Sequence, residues 1–258
     1  MRFCQIMPNK QKIEKRIQTS SKPKAENVKP RVQKPRVQVN KSYNRRRVFR
    51  YQWWKGLFDF LLALAALVIL SPFMLLIAIA IKIDSPGRAI YRREQIGKDG
   101  QMFKSYKFRT MKAGNDDTEY KQYIVKYILE NAPYKVDHNG QLIYKITGDP
   151  RVTRVGAILR KTNLDELPQL VNIIKGEMSW VGPRPDIPFA VDLYDDWHRQ
   201  RLSVKPGLTG LWQVRGRKSL SFDEMVRLDI KYINRESFWW DIKIILLTIK
   251  TILVGDGS

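Results

Sequence analysis

Asp165 and Glu166 stand side by side in Thr162-Asn163-Leu164-Asp165-Glu166-Leu167-Pro168, directly after Arg160 and Lys161. Two readings fit this segment. In the first it is a helix start: Thr162 or Asn163 caps, an acidic residue completes a capping box or favours the positive helix end, and Pro168 is tolerated in the first turn. In the second it is a phosphate site. A helix start presents free N–H groups to anions, and guanidinium groups at its mouth strengthen that attraction. Carboxylates in such a place have two chemical uses: one can hold Mg²⁺ against phosphate oxygens, and another can attack phosphorus to form an acyl-phosphate type intermediate. Neighbours on a helix diverge by about 100°, which suits two separate jobs better than one shared proton.

Two further clusters carry similar chemistry. Gly182-Pro183-Arg184-Pro185 pins one arginine between prolines, either as a plain rigid loop or as a preorganised phosphate grip. In Phe103 to Thr110, Lys107 and Arg109 are two residues apart, so on a strand they share a face, with Phe108 on the other. Lys205-Pro206-Gly207-Leu208-Thr209-Gly210 is a loop whose glycines allow close backbone approach or simply turn the chain. The sequence has no Walker-type glycine loop, no dinucleotide fingerprint and no Ser/His/Asp set. One cysteine, Cys4, and two histidines, His138 and His198, exclude a disulfide framework and argue against a structural zinc site.

The elements that must position these residues begin with a membrane segment. Phe60 to Ile81 is a run of 22 residues without a formal charge. As a helix it is about 33 Å long, enough for a hydrocarbon core. Ser71-Pro72 falls in its middle, where a missing backbone donor predicts a kink or break. Arg45, Arg46, Arg47, Arg50 and Lys55 precede the run, and Lys82, Arg88, Arg92 and Arg93 follow it. Two basic flanks both prefer the cytoplasmic side, which a re-entrant hairpin satisfies; a Pro-kinked straight span is the alternative.

Beyond this run, Ala89 to Met111 reads as a β-hairpin turning at Lys98-Asp99-Gly100. Helices are expected over 117–130, 152–161, 164–175, 187–202 and 222–233. Phe238 to Val254 is strongly apolar and led by Trp239 and Trp240, and its only lysines, Lys243 and Lys250, fall on one stripe; it suits a helix lying in the membrane interface or an ordinary buried helix. The 258 residues carry 47 Lys and Arg against 25 Asp and Glu, a net charge of +22. The first 50 residues hold 16 of those basic residues and 2 of the acidic ones, a net of +14. Residues 1–50 therefore read as a disordered basic arm attracted to anionic lipid. A nucleic-acid binder would explain the charge but not the apolar run. A non-catalytic membrane scaffold would explain both but not Asp165-Glu166 among arginines.

From about Lys55 onward the chain resembles the bacterial sugar transferases that are monotopic polyprenyl-phosphate phosphoglycosyltransferases. The resemblance rests on Ser71-Pro72, Lys107-Phe108-Arg109-Thr110-Met111, Leu159-Arg160-Lys161-Thr162 leading into Asp165-Glu166-Leu167-Pro168-Gln169-Leu170, Gly176-Glu177-Met178-Ser179, Val181-Gly182-Pro183-Arg184-Pro185 and Lys205 to Gly210, all in order. It implies a membrane helix hinged at Ser71 and Pro72 in the bacterial cytoplasmic membrane, with the active site on the cytoplasmic face. It implies transfer of a sugar 1-phosphate from a nucleotide diphosphate sugar, usually a UDP-sugar, to a polyprenyl phosphate such as undecaprenyl phosphate, starting a lipid-linked glycan. Carried over by motif, Asp165 is the nucleophile, Glu166 the carboxylate associated with Mg²⁺, and Lys107, Arg160 and Arg184 hold phosphates. Strand geometry adds Arg109 to that set. The expected architecture is a mainly helical α+β unit: a basic arm over 1–50, a re-entrant helix over 51–86, and a cytoplasmic-face catalytic domain over 87–258 with interfacial amphipathic helices and a small β-hairpin. The sequence names neither the sugar nor the oligomeric state.

Overall fold

The computed structural model describes residues 45–112, 117–137, 139–144, 146, 148–216 and 219–253. Most of the expected basic arm, including Cys4, therefore lies outside the described residues, as does His138. Helix α1 spans Arg45–Asp84 and takes in the last six residues assigned to that arm. Its stretch Tyr51–Asp84 is long and apolar enough to cross a membrane. The backbone stays helical across Pro72, so of the expected kink or break the break does not occur. The local reason is visible. Pro72 cannot donate to the Val68 carbonyl, and the Ser71 hydroxyl donates to that oxygen instead, at 2.8 Å.

One face of α1 packs on the rest of the protein. Ala63, Ala66, Leu67 and Leu70 meet Phe103, Leu170, Ile173 and Met178. Met74, Ile77, Ala78 and Ile81 meet Phe108, Leu159, Leu164 and Leu167. The alanines matter because small side chains let another backbone come close. The opposite face exposes Leu61, Val68, Ile69, Leu75, Leu76 and Ile83. A contiguous apolar face of this size demands a nonpolar neighbour.

The expected hairpin is present: β1 (Ile90–Ile96) pairs antiparallel with β2 (Met102–Phe108), with Glu94 opposite Lys104. Asp99 and Gly100 both take positive φ to make the turn. Helix α2 (Thr118–Glu130) and the two-residue strands β3 (Lys135–Val136) and β4 (Leu142–Ile143) follow. Helix α3 (Arg154–Thr162) is capped by the Thr153 hydroxyl on Gly156 N–H, while Asp84 at the end of α1 accepts from Val155 N–H. The helix expected over 164–175 divides into a 3₁₀ segment, Leu164–Gln169, and a short α4 (Leu170–Ile174). Pro168 has no N–H to continue an α-helical ladder, and Gly176 at φ +74° closes the segment.

Strand β5 (Ser179–Val181) runs parallel to β6 (Gly207–Thr209). Between them the single helix expected over 187–202 is instead α5 (Pro188–Asp192) and a separate 3₁₀ segment, His198–Ser203. Asp195 N–H donates to Nδ1 of the buried His198 rather than to a carbonyl one turn back, which interrupts the ladder. Helices α6 (Leu211–Arg215), α7 (Phe222–Ile233) and α8 (Phe238–Leu253) complete the chain. A capping box does occur, at Ser221 and Glu224 of α7. The described residues are thus mainly helical, with small two-stranded sheets and, among them, one long apolar helix. Helix α8 buries Ile244 and Asp241 while Trp239, Leu246 and Ile249 stay exposed, so it is not buried on all sides.

Candidate active site

Three elements converge on Glu166. Strand β2 delivers Lys107, whose Nζ donates to Glu166 Oε1 at 2.6 Å. The loop after β5 delivers Arg184, whose Nη2 and Nη1 reach Oε1 and Oε2 at 2.5 and 3.2 Å. The 3₁₀ segment holds Glu166 itself, only 8% exposed. Burial alone would raise its pKa, but Arg184 and Lys107 outweigh burial and hold the carboxylate well below its ordinary range.

Asp165 has the opposite surroundings. Its carboxylate has no hydrogen-bond or ion-pair partner among the described residues. Burial and the neighbouring Glu166 charge push its pKa up, and Lys107, Arg184 and Arg160 pull against that rise without cancelling it. Arg160 sits half-buried in the last turn of α3, one helix end away from the dyad. The capping reading of this segment fails: Asn163, at φ +56°, makes no side-chain cap, and the Thr162 hydroxyl turns back to Ile158 O at 2.9 Å. Neither carboxylate serves the backbone, so their placement among cations needs another reason.

Arg184 is held from behind. The Arg201 guanidinium donates to Arg184 O at 3.0 Å and pairs with Asp186 at 2.8 Å and Asp229 at 2.7 Å. Gln95 donates to Pro185 O, and Ile96 N–H to Asp186 O. Burial pushes Asp229 up to about 7 even against Arg201. The glycines of the 205–210 loop serve close approach: a Cβ on Gly207 would stand 2.1 Å from the Gly182 nitrogen. That contact brings β6 against the loop that presents Arg184.

The structure corrects one member of the expected set. Arg109 does not join Lys107 at the dyad. Its Nη1 donates to Pro86 O at 2.6 Å and its Nη2 to Ser85 O at 2.6 Å and Ser85 Oγ at 3.0 Å. Arg109 lies just past the end of β2, and its guanidinium is spent on the carbonyls where α1 ends, groups that a helix leaves without partners. Ser71 and Pro72 are exposed on α1, away from the dyad's own contacts. Sequence reading missed Arg201 and Asn172. Asn172 is fully buried; its Oδ1 accepts from Tyr106 N–H and its Nδ2 donates to Lys104 O and Glu177, clamping the free edge of β2. An Asn inside an apolar helix pattern was its only sequence signal.

The carboxylates also bear on a metal. No group of three His, Cys, Asp or Glu residues suited to a metal occurs among the described residues. Asp165 has all its acceptor capacity free, and Glu166 keeps part of its own after three hydrogen bonds. Two protein carboxylates completed by substrate phosphates and water fit Mg²⁺, which seldom takes an all-protein cage.

Residues 50–255 match the model of a family described as bacterial sugar transferase. The galactosyl transferase CpsE of Streptococcus agalactiae is 45% identical over 175 residues, 67% of this chain and 36% of that protein. The exopolysaccharide production protein ExoY of Sinorhizobium fredii is 41% identical over 204 residues, 79% of this chain and 87% of that protein. The undecaprenyl-phosphate galactose phosphotransferase of Salmonella typhimurium is 39% identical over 204 residues, 79% of this chain and 41% of that protein. The chain thus spans well under half the length of two of these relatives and most of the third. With four fifths of its length matched to the family model and its site residues inside the match, the chain belongs to the bacterial sugar transferase family of enzymes.

Proposed function

We propose that this protein is a phosphoglycosyltransferase that moves a sugar 1-phosphate from a UDP-sugar to undecaprenyl phosphate through a phosphosugar carried on Asp165. The observation that carries the reading is the unpaired Asp165 carboxylate beside a Glu166 that two cations neutralise. A free, partly buried carboxylate with a raised pKa is a better nucleophile than an ordinary one, provided it is ionised. Lys107, Arg160 and Arg184 offset its repulsion of the donor diphosphate and stabilise charge in the phosphoryl transition state. Attack by Asp165 forms a P–O bond to the sugar-bearing phosphorus and breaks the diphosphate bridge, releasing UMP. The oxygen of the lipid phosphate then attacks the same phosphorus and frees Asp165. Glu166 orients Lys107 and Arg184 through its three hydrogen bonds. Glu166 would also help to hold Mg²⁺, with substrate phosphate oxygens and water completing its ligands, and the ion when bound would supply positive charge against the diphosphate oxygens.

Re-entrant topology fits the same reading. Near its start α1 binds α8, where Tyr51 and Lys55 both reach Asp241. Near its end Arg109 holds it to β2. Contacts with the rest of the protein thus run along about 45 Å of α1. A straight crossing would carry Asp59, which is buried and accepts from Trp180 N–H, and Glu166 with Lys107 and Arg184 into hydrocarbon, which is costly. A helix that enters one leaflet, bends at Ser71-Pro72 while its backbone stays helical, and comes back to the same side would keep them at the cytoplasmic surface of the inner membrane, where a lipid phosphate can meet a soluble nucleotide sugar. The basic arm and the anionic lipid headgroups would hold it there. UMP release from a panel of UDP-sugars with undecaprenyl phosphate and Mg²⁺ tests the reaction. Release with at least one donor, lost on chelation and restored by Mg²⁺, is expected; no release with any donor would overturn it.

A further inference from the structure

We propose that Arg109 is a positioning residue that registers the strand carrying Lys107 against the end of the membrane helix, so that the catalytic cations are set in place only when α1 is seated. The inference rests on reading Lys107 as a donor-phosphate ligand. Lys107 lies in the last two residues of β2 and Arg109 directly follows the strand, about 7 Å further along the extended chain. One meets Glu166, the other the Ser85 and Pro86 carbonyls beyond α1. Arg109 is 8% exposed, and two hydrogen bonds at 2.6 Å fix its fork in the plane of those carbonyls. Gly87 is shaped to admit it: its φ is +115°, and a Cβ there would stand 2.3 Å from Arg109 Nη1.

The same junction reaches the other side of the dyad. Thr110 O accepts from Thr153 N–H, and Gly156 lies so close that a Cβ would be 2.2 Å from that oxygen. Asp84 accepts from Val155 N–H. The end of α1, the end of β2 and the start of α3 are therefore one knot, while α3 leads at its other end to Arg160 and Asp165. Displacing α1 from this knot moves both walls of the site.

The test compares wild type with Arg109→Lys, Arg109→Ala and Gly87→Ala in nanodiscs of anionic lipid, scoring only folded enzyme. Arg109→Lys and Gly87→Ala should lower kcat/KM for the donor by about 10- to 100-fold, the scale of an ångström-sized misplacement. Guanidinium ion should restore part of the activity of Arg109→Ala, and ammonium should not. A capping role alone would lower Tm and leave these parameters at wild-type values, and that result would overturn the inference. Where the Arg109 variants are too unstable to assay, Gly87→Ala decides by the same kinetics with the arginine present. The two failures are distinct: wild type that releases no UMP sinks the proposed reaction, whereas active wild type with unaltered variants sinks only the role of Arg109.

Discussion

Asp165 and Glu166 share a backbone segment but are set apart by what surrounds them. Glu166 is held ionised by Lys107 and Arg184, so its contribution to stability is present above the unfolded carboxylate range and is lost only as pH falls below it. For Asp165 the sign is reversed. Its folded pKa is raised, so the ionised form costs stability at neutral pH. Asp165→Asn should therefore cut turnover by about 10³-fold or more while raising Tm by about 2–4 °C, from roughly 1 kcal/mol of relieved strain on a chain of this size. Steady-state kinetics and calorimetry on the same preparation check both. Because Asp165 must be ionised to attack, the acid limb of kcat/KM should lie above the ordinary carboxylate range. Arg184→Gln should move it higher still, since a cation that lowers the Asp165 pKa is gone. The dyad, Lys107 and Arg184 were legible because residue type and spacing carry the motif. Arg109 was not, because alternation along a strand fixes a face and not the partner met there.

Among the elements, α1 makes the sharpest prediction. The Ser71 hydroxyl replaces the donor that Pro72 lacks, so Ser71→Ala should cost about 1 kcal/mol. Pro72→Ala restores a regular ladder and should favour a straight span. In intact spheroplasts Cys4 should be protected from a membrane-impermeant maleimide in wild type and become labelled in Pro72→Ala. Labelling of intact wild type would contradict the re-entrant helix. The hairpin, α2, α3, α7 and α8 were legible from periodicity and turn residues. The break at 193–197 was not, because it depends on Asp195 N–H finding the His198 ring, a choice made by burial of His198 among Tyr194, Trp197 and Phe222. The 3₁₀ form of the dyad segment had a clue in Pro168, but whether a turn tightens or merely bends is decided by packing.

At the scale of the whole molecule, the proposed function gives the exposed apolar faces of α1 and α8 and the basic residues upstream of them one task, holding a soluble chemistry against a bilayer. The aromatic contact of Phe58 with Phe238 joins the two helices on that side. Deleting residues 1–40 should leave turnover intact in inserted enzyme and weaken cosedimentation with anionic vesicles, most clearly at low salt. Unchanged binding at low ionic strength would remove the arm from this account. The central claim is that the reaction passes through Asp165 in two steps, and one measurement addresses it directly. Enzyme is mixed with a UDP-sugar labelled in the sugar, without lipid acceptor, quenched rapidly and analysed by peptide mass spectrometry. The account predicts UMP release with a sugar-phosphate mass on the peptide containing Asp165, discharged to lipid when undecaprenyl phosphate is added. Turnover that needs both substrates bound together, with no adduct at any quench time, would contradict it.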